Sequence, residues 1–344
     1  MPMIDGKLYL TILLMFVVIF PASSAQRALL IGVGNYPANS GWHRISSEND
    51  IALLKQVMGK NYIVSTLENQ NATKSGIVNA FNKLIKESFP GDTVFIHFSC
   101  HGQQVLSNKK DEPDHLDEAI VPYDAYAKES QSYHGENHLL DDDLGQMVTT
   151  LREKIGSSGL VIITVDACYS DSMNKGVTIT DKTIYRGGAG IFGTESIADD
   201  SLAILQENRT KIDSIGVMDI PGASDVIFIS ACKSFQKNME IVEDGKGYGS
   251  LSFAIYEAFR KGNSPKADIF EWVNSILSVM GNRAYTQDPQ IRSTIPCLPP
   301  SSDPEGECGE EDGGNDSKGL ATLSLVGLFV ISLILGLIIW KKRK

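Results

Sequence analysis

The sequence has little cysteine, with five residues in a chain of 344. Five are too few for a small disulfide-stapled fold, and no two have the C-x-x-C spacing of zinc ligands, which argues against a structural zinc site. Basic charge is also scarce, because 31 Lys and Arg face 42 Asp and Glu, a net charge of −11. An acidic surface repels phosphate backbones, so nucleic acid is not an expected partner. With 42% hydrophobic and 21% charged residues, the composition is that of a globular protein.

Two apolar runs stand near the ends of the chain. Residues 8–20 are apolar and precede small residues, which predicts a signal peptide over residues 1–25, although a short membrane anchor is the alternative. Residues 319–340 form a run long enough to cross a bilayer, and the basic residues 341–344 that follow would stay in the cytoplasm. Together these runs predict a single-pass type I protein of the cell membrane, with its main domain on the extracytoplasmic side.

The segment before the predicted membrane helix has the composition of a stalk. Residues 297–318 are rich in Pro, Gly, Ser and acidic residues. Cys297 and Cys308 lie in it, and an oxidising compartment would allow them to pair. Residues 26–296 remain as one folded domain. N-x-S/T glycosylation sequences begin at three positions, Asn71, Asn208 and Asn315.

Within this domain, short apolar runs alternate with stretches of helical periodicity. The runs predict strands over residues 27–33, 62–67, 94–98, 160–165 and 226–229. The periodic stretches predict helices over residues 49–58, 73–86, 143–154 and 251–261. Near-continuous Val- and Ile-rich strands that alternate with helices predict an α/β domain with a mostly parallel sheet, covered on both faces. The active site of such a domain forms at the carboxyl ends of the strands.

A histidine and a cysteine follow two of these strands. His101 comes shortly after the third predicted strand, and Cys168 shortly after the fourth. A thiolate can attack a carbonyl, and an imidazole in reach can hold its proton and later protonate the leaving amine. The backbone N–H groups of Gly102 and Cys168 would then stabilise the oxyanion.

The order of several short motifs resembles a metacaspase-type member of the caspase-like cysteine peptidases. The motifs are FSCHGQ at 98–103, DEAIVPYD at 117–124, DDDL at 141–144, DACYS at 166–170, and ISAC at 229–232 followed by GYGSL at 247–251. The resemblance covers roughly residues 27–290. It implies a caspase-like fold whose mainly parallel sheet has six strands, with His101 as general base and acid and Cys168 as nucleophile.

The resemblance also implies that Asp50, Asp166 and Ser230 line the specificity pocket. Two carboxylates in one pocket would favour Arg or Lys on a peptide or protein substrate and repel Asp. Capping roles remain open alternatives for both aspartates, because Asp50 lies near a predicted helix start and Asp166 near a loop.

Two positions depart from the family pattern without removing a catalytic atom. Cys100 stands where metacaspases usually have Gly, and Tyr169 stands where they usually have His. We interpret Cys100 and also Cys232 as packed small side chains and not as second nucleophiles.

Some metacaspases are activated by calcium, and the acidic run resembles part of their site. Asp141 and Asp142 would supply hard oxygen ligands. The further aspartate that follows the nucleophile in the family has no clear counterpart in residues 171–175, and a solvated acidic helix start explains the run equally well. Calcium as an activator therefore stays open, while the chemistry itself requires no cofactor.

The sequence thus predicts a membrane-anchored cysteine endopeptidase that cleaves after Arg or Lys. Residues 173–226 form a long segment of weak periodicity, in which we expect self-cleavage. Its basic residues include Lys175, Lys182, Arg186, Arg209 and Lys211. Two alternatives stay open: a catalytically silent caspase-like binding or receptor module, and a transamidase of similar membrane layout.

Overall fold

The computed structural model describes residues 24–107, 116–169, 183–188, 190–194, 218–234, 236–284 and 286–298. All of them belong to one compact unit, Met1–Asp303. Its centre is a sheet of six strands in the order β11-β8-β7-β3-β1-β2. These strands are β1 (Gln26–Gly32), β2 (Ile63–Glu68), β3 (Thr93–Ser99), β7 (Leu160–Asp166), β8 (Asp225–Ser230) and β11 (Gln290–Ser293). Five strands run parallel, and only the edge strand β11 is antiparallel to its neighbour.

Helices cover both faces of this sheet, as the buried strands predict. They are α1 (Ser47–Met58), α2 (Lys74–Glu87), α3 (Asp141–Ile155), α4 (Ser250–Arg260) and α5 (Ile269–Arg283). Helices α2 and α3 contribute to one apolar cluster with strand residues such as Ile96, and helices α1, α4 and α5 contribute to the other with residues such as Phe95. Alternate residues of β3 therefore face opposite clusters, and the sheet is buried on both sides.

Shorter strands, which the sequence did not predict, lie outside the central sheet. One small sheet contains β4 (Gly102–Leu106), β5 (Leu116–Ile120) and β6 (Leu139–Leu140), and a hairpin contains β9 (Glu240–Glu243) and β10 (Lys246–Gly249). Asn69–Asn71 form a 3₁₀ turn. Strand β4 starts immediately after His101, and β10 leads directly into α4. Both additions therefore lie next to residues that the motifs single out.

The parallel strands end together at one edge. The register pairs Gly32 with Ser99 and Ser99 with Asp166, and it pairs Val165 with Ser230 on the next strand. The residues that follow β3, β7 and β8 are thus close in space, although they are more than sixty positions apart in the chain. This carboxyl edge is where the predicted site residues meet.

The caspase-like α/β fold with a mainly parallel sheet is confirmed, but several predictions lie outside the described residues. These are most of the predicted signal peptide, the stalk after Leu298, the membrane helix at 319–340, the basic tail, Asn208, Asn315 and Cys308. Cys297 is disulfide-bonded. Over the part of the chain that the structure describes, no helix has the length and apolar character needed to span a membrane.

Candidate active site

His101 lies two residues beyond the end of β3 and is fully buried. Its ring stacks on Trp42, with ring centroids 4.9 Å apart, and also contacts the rings of Tyr36 and His43 at 5.2 and 4.5 Å. The Tyr36 hydroxyl accepts a hydrogen bond from the His101 backbone N–H at 3.1 Å. The imidazole is therefore held on three sides by the loop that follows β1.

One hydrogen bond sets the tautomer of His101. Its Nε2 lies 2.9 Å from the backbone carbonyl oxygen of His43, which can only accept, so Nε2 carries the proton. In the neutral ring Nδ1 then has a free lone pair, and it is buried without a hydrogen-bond partner among the described residues. Burial, with the nearby His43, lowers the pKa of His101 to about 3. The ring is thus neutral, with Nδ1 able to accept a proton.

Cys168 lies two residues beyond the end of β7 and is 1% exposed. Its Sγ donates to the backbone carbonyl of Gln236 at 3.0 Å. The residue that covers it is Gly187, since a Cβ built there would come within 3.1 Å of the Cys168 Cβ and would collide with the Cys168 carbonyl. A residue with a side chain does not fit at position 187 without a shift of the backbone.

The two predicted oxyanion donors converge on a single oxygen. The backbone N–H of Cys168 donates to the carbonyl of Arg186 at 2.8 Å, and the N–H of Gly102 donates to the same carbonyl at 3.3 Å. Two convergent N–H groups are the arrangement that stabilises a developing oxyanion. Here they bind the carbonyl of the residue that precedes Gly187.

The side chain of the same arginine fills a buried acidic pocket. Arg186 Nη2 lies 2.7 Å from Asp50 Oδ2 and 3.0 Å from Glu240 Oε1, while Nη1 lies 3.8 Å from Asp166 Oδ1. Nη1 also donates to Ser99 Oγ at 2.8 Å. Arg186, Asp50 and Asp166 are fully buried, so water screens these charges very little.

Neighbouring backbone and side-chain donors fix the two aspartates. Asp50 accepts from the backbone N–H of Gly249 at 2.9 Å and from Ser99 Oγ at 2.7 Å. Asp166 accepts from Asn238 Nδ2 at 2.7 Å and from the backbone N–H and Oγ of Ser252 at 2.7 and 2.6 Å. Asp50 is not the N-cap of α1, which is Ser46, whereas Asp166 accepts a first-turn N–H of α4 and so caps that helix as well.

The pKa values of the two aspartates move in opposite directions. Burial raises the pKa of Asp50 to about 6 despite the adjacent Arg186. Burial also acts to raise the pKa of Asp166, but Arg186 and the hydrogen bonds from Asn238 and Ser252 outweigh it and lower that pKa. Three carboxylates around one guanidinium carry an excess of negative charge, and partial protonation of Asp50 reduces it.

The pocket role of the third predicted residue, Ser230, stays a prediction. Ser230 Oγ donates to the backbone carbonyl of Cys232 at 3.1 Å, whereas the guanidinium of Arg186 bonds to Ser99, Asp50, Asp166 and Glu240. Ser99 and Glu240 are not among the residues that the sequence predicts for the pocket. The strand register would have placed Ser99 at the site, because Ser99 pairs with Asp166. No sequence pattern pointed to Glu240 or to the backbone carbonyl of His43.

The acidic run opens helix α3 as the sequence predicts. Asp141, Asp142 and Asp143 form its first turn, where negative charge suits the helix dipole. Asp143 pairs with Lys74 at 3.0 Å. Among the described residues, no group of three or more His, Cys, Asp and Glu side chains is arranged to hold a metal ion. The calcium site at Asp141 and Asp142 stays a prediction.

Cys100 and Cys232 occupy different surroundings. Cys100 is fully buried in the apolar cluster below α2 and α3, and burial raises the pKa of its thiol to about 12. Cys232 is 3% exposed and lies beside Cys168, with its Sγ 3.5 Å from the same Gln236 carbonyl. Cys100 is therefore a packing residue, while Cys232 is a neighbour of the predicted nucleophile.

Comparison with known proteins is consistent with this geometry. Residues 25–297 match the family model of the caspase domain. The chain is 26% identical over 304 residues to Metacaspase-1A of Aspergillus niger, covering 79% of this chain and 71% of the relative. It is also 26% identical over 308 residues to Metacaspase-1 of Emericella nidulans, covering 79% and 70%.

A crystal structure of a protein from Geobacter sulfurreducens shares the fold. It superposes with a TM-score of 0.52 at 20% identity and covers 78% of this chain and 93% of that protein. Because the family model spans more than half of the chain, the family is shown independently of this likeness. The chain belongs to the caspase-domain family and is a cysteine-type endopeptidase of the metacaspase type.

Proposed function

We propose that this endopeptidase uses Cys168 as nucleophile and His101 as general base and acid, and that it cleaves peptide bonds after Arg or Lys. The observation that carries the proposal is the position of Arg186. Its guanidinium lies among Asp50, Asp166 and Glu240, and its carbonyl oxygen accepts from Cys168 and Gly102. A substrate residue before a scissile bond requires this combination of a bound side chain and a polarised carbonyl.

The proposed reaction assigns the attack, the proton transfers and the stabilisation of the oxyanion to groups described above. Cys168 Sγ attacks the substrate carbonyl carbon while His101 Nδ1 accepts the thiol proton. The oxyanion takes the place of the Arg186 carbonyl oxygen on the two backbone N–H groups. His101 then protonates the leaving amine, and water hydrolyses the thioester. Because Sγ now donates to Gln236, attack first requires rotation of the Cys168 side chain.

Mutagenesis of the pair tests this mechanism. We expect Cys168→Ala and His101→Ala each to reduce hydrolysis of an Arg-peptide reporter by several orders of magnitude, since the two groups act as a unit. Cys100→Ala is the matched control and should keep most of the activity, because that thiol is packed in the core. Substantial turnover by Cys168→Ala would refute the assignment.

The pocket binds the end of a long cationic side chain. Both terminal nitrogens of Arg186 contact acceptors, whereas its Nε has no hydrogen-bond partner among the described residues. Recognition therefore depends on charge at the far end of the chain, a property that Lys shares with Arg. An Asp side chain would be repelled by the three carboxylates, which supports selectivity for basic residues.

Glu240 and Glu243 offer a matched pair for testing this specificity. Glu240→Gln removes a carboxylate 3.0 Å from the guanidinium, and we expect kcat/KM for Arg substrates to fall about tenfold to a hundredfold. Glu243→Gln alters the same hairpin, but that residue pairs with Arg283 at the surface and should leave kcat/KM unchanged. Profiling a peptide library with each variant gives the result. A preference for Asp before the cleaved bond would contradict the pocket.

Self-processing follows from the same arrangement, with Arg186–Gly187 as the proposed scissile bond. Arg186 occupies the proposed specificity pocket, and Gly187 lies against Cys168. Gly187 belongs to the segment 173–226 in which the sequence predicts cleavage. Cutting this bond would release the backbone that covers Cys168 and open the cleft to other substrates.

Mapping of new termini by mass spectrometry tests this bond, with and without calcium. We expect the wild type and Arg186→Lys to be cut after position 186, because Lys keeps the terminal charge, and Arg186→Gln to stay intact there. Cys168→Ala should remain uncut in both conditions. A cut after position 186 that persists in Cys168→Ala would show that another protease makes it.

The proposed base also makes the fold sensitive to acid. Burial lowers the pKa of His101 to about 3 and that of His97 to about 4, whereas in the unfolded chain both groups titrate near about 6.5. Between these values only the unfolded chain takes up the protons, so the free energy of unfolding falls as pH drops below about 6.5. The raised pKa of Asp50 acts in the opposite direction and offsets part of this loss.

Urea unfolding in a Cys168→Ala background measures this effect. We expect each buried histidine to reduce the free energy of unfolding by about 2 kcal/mol between about pH 7 and pH 5. Replacing the base in His101→Gln should therefore make the pH dependence shallower by about that amount, whatever the variant does to stability at neutral pH. An unchanged slope would mean that His101 is protonated in the folded protein at pH 5.

We place this domain on the extracytoplasmic side of the cell membrane, held by the predicted helix at 319–340. The proposal rests on the sequence of the two ends. Two further observations support it: β1 begins at Gln26, directly after the predicted signal-peptide cleavage site, and Cys297 is disulfide-bonded. Protease protection of the domain in intact membrane vesicles, compared with detergent-treated ones, would test the orientation.

A further inference from the structure

Two cysteines meet at the carboxyl edge of the sheet. Strands β7 and β8 are parallel neighbours in which Val165 pairs with Ser230. Cys168 lies three residues after Val165, and Cys232 lies two residues after Ser230. Both cysteines therefore lie within two residues of the carboxyl ends of neighbouring parallel strands.

The two thiols point at the same acceptor. Cys168 Sγ lies 3.0 Å and Cys232 Sγ lies 3.5 Å from the backbone carbonyl oxygen of Gln236. The Cys168 side chain next to it raises the pKa of the Cys232 thiol. Two sulfur atoms that share one acceptor oxygen lie close together, so rotation of the two side chains can bring them within bonding distance.

We propose that Cys168 and Cys232 form a reversible disulfide that switches the peptidase off under oxidising conditions. The oxidant is a low-molecular-weight disulfide such as oxidised glutathione. The Cys168 thiolate attacks one of its sulfurs, the sulfur–sulfur bond of the oxidant breaks, and one glutathione leaves. Cys232 then attacks the Cys168 sulfur of the mixed disulfide and displaces the second glutathione. The two protein thiol protons end on the two released glutathione molecules, so atoms and electrons balance.

The surroundings of the two thiols indicate which of them reacts first. The Cys168 side chain and burial raise the pKa of the Cys232 thiol, which keeps it protonated while Cys168 reacts first. Cys232 then acts as the resolving thiol. Closing the disulfide protects the Cys168 sulfur from irreversible oxidation to sulfinic and sulfonic acids. A secreted thiol enzyme benefits from such protection, because its surroundings are oxidising.

Access to the pair is controlled by the segment that carries Arg186. Both cysteines are at most 3% exposed, and Gly187 covers Cys168. Oxidation therefore requires this segment to move. We expect faster disulfide formation in Arg186→Gln than in wild type that has not yet been cut after position 186, because Arg186→Gln removes the charge that holds the segment in the acidic pocket.

The test treats the full-length chain and Arg186→Gln with excess oxidised glutathione, blocks the remaining thiols, and maps the peptides by mass spectrometry. A peptide pair linked through Cys168 and Cys232 is expected in both, and hydrolysis of an Arg-peptide reporter by the wild type should fall at least about tenfold and return with dithiothreitol. Absence of the linked pair from both proteins overturns the proposal.

Two variants serve as controls. Cys232→Ala should hydrolyse the reporter normally before treatment, and after treatment it should carry glutathione on Cys168 in place of the internal disulfide. Cys100→Ala should behave like the wild type, since its thiol lies in the core. A linked pair that includes Cys100 would contradict the assignment.

Loss of activity on oxidation rests on the proposed role of Cys168, but the disulfide itself does not. The linked peptide is detected by mass without any turnover. The proposed function is instead tested by Cys168→Ala under reducing conditions, so the two ideas can fail separately.

Discussion

The buried charge cluster around Arg186 is the interaction on which the site depends. One guanidinium meets the carboxylates of Asp50, Asp166 and Glu240 in a region closed to solvent. Buried charges are stable only when they are paired, and removing one partner of such a pair costs about 3–5 kcal/mol. Without a cation in this pocket, the carboxylates would repel one another. The pocket therefore requires a basic side chain, which Arg186 supplies in this structure.

The same arginine connects this cluster to the proposed chemistry. Its side chain neutralises the pocket while its carbonyl occupies the N–H groups of Gly102 and Cys168, so one residue fills both halves of the cleft. The thiol meanwhile donates to Gln236, away from an attacking geometry. The proposed basic specificity, the proposed self-processing and the proposed protection of the thiol would therefore all depend on the segment around Gly187.

Sequence patterns predicted the features that are encoded by residues close together in the chain. Val- and Ile-rich runs located β1, β3, β7 and β8 to within one or two residues, and the order of the motifs placed His101 and Cys168 at neighbouring strand ends. Arg186 reaches Asp50 across 136 positions from a segment without periodicity, so no local pattern predicts that contact. Glu240 lies in a strand of only four residues, which is too short to show a periodic pattern. His43 contributes its backbone carbonyl, and a backbone group leaves no pattern in the sequence.

Covalent labelling tests the central claim most directly, because it reports the nucleophile and the pocket in one experiment. A thiol-reactive peptide ending in Arg, added to the self-processed enzyme, should modify Cys168 alone. Labelling should be strongly reduced in Asp166→Asn, and a matched peptide ending in Asp should not label the protein. Modification of Cys100 or Cys232, or equal labelling by the two peptides, would contradict an acidic pocket that presents basic residues to Cys168.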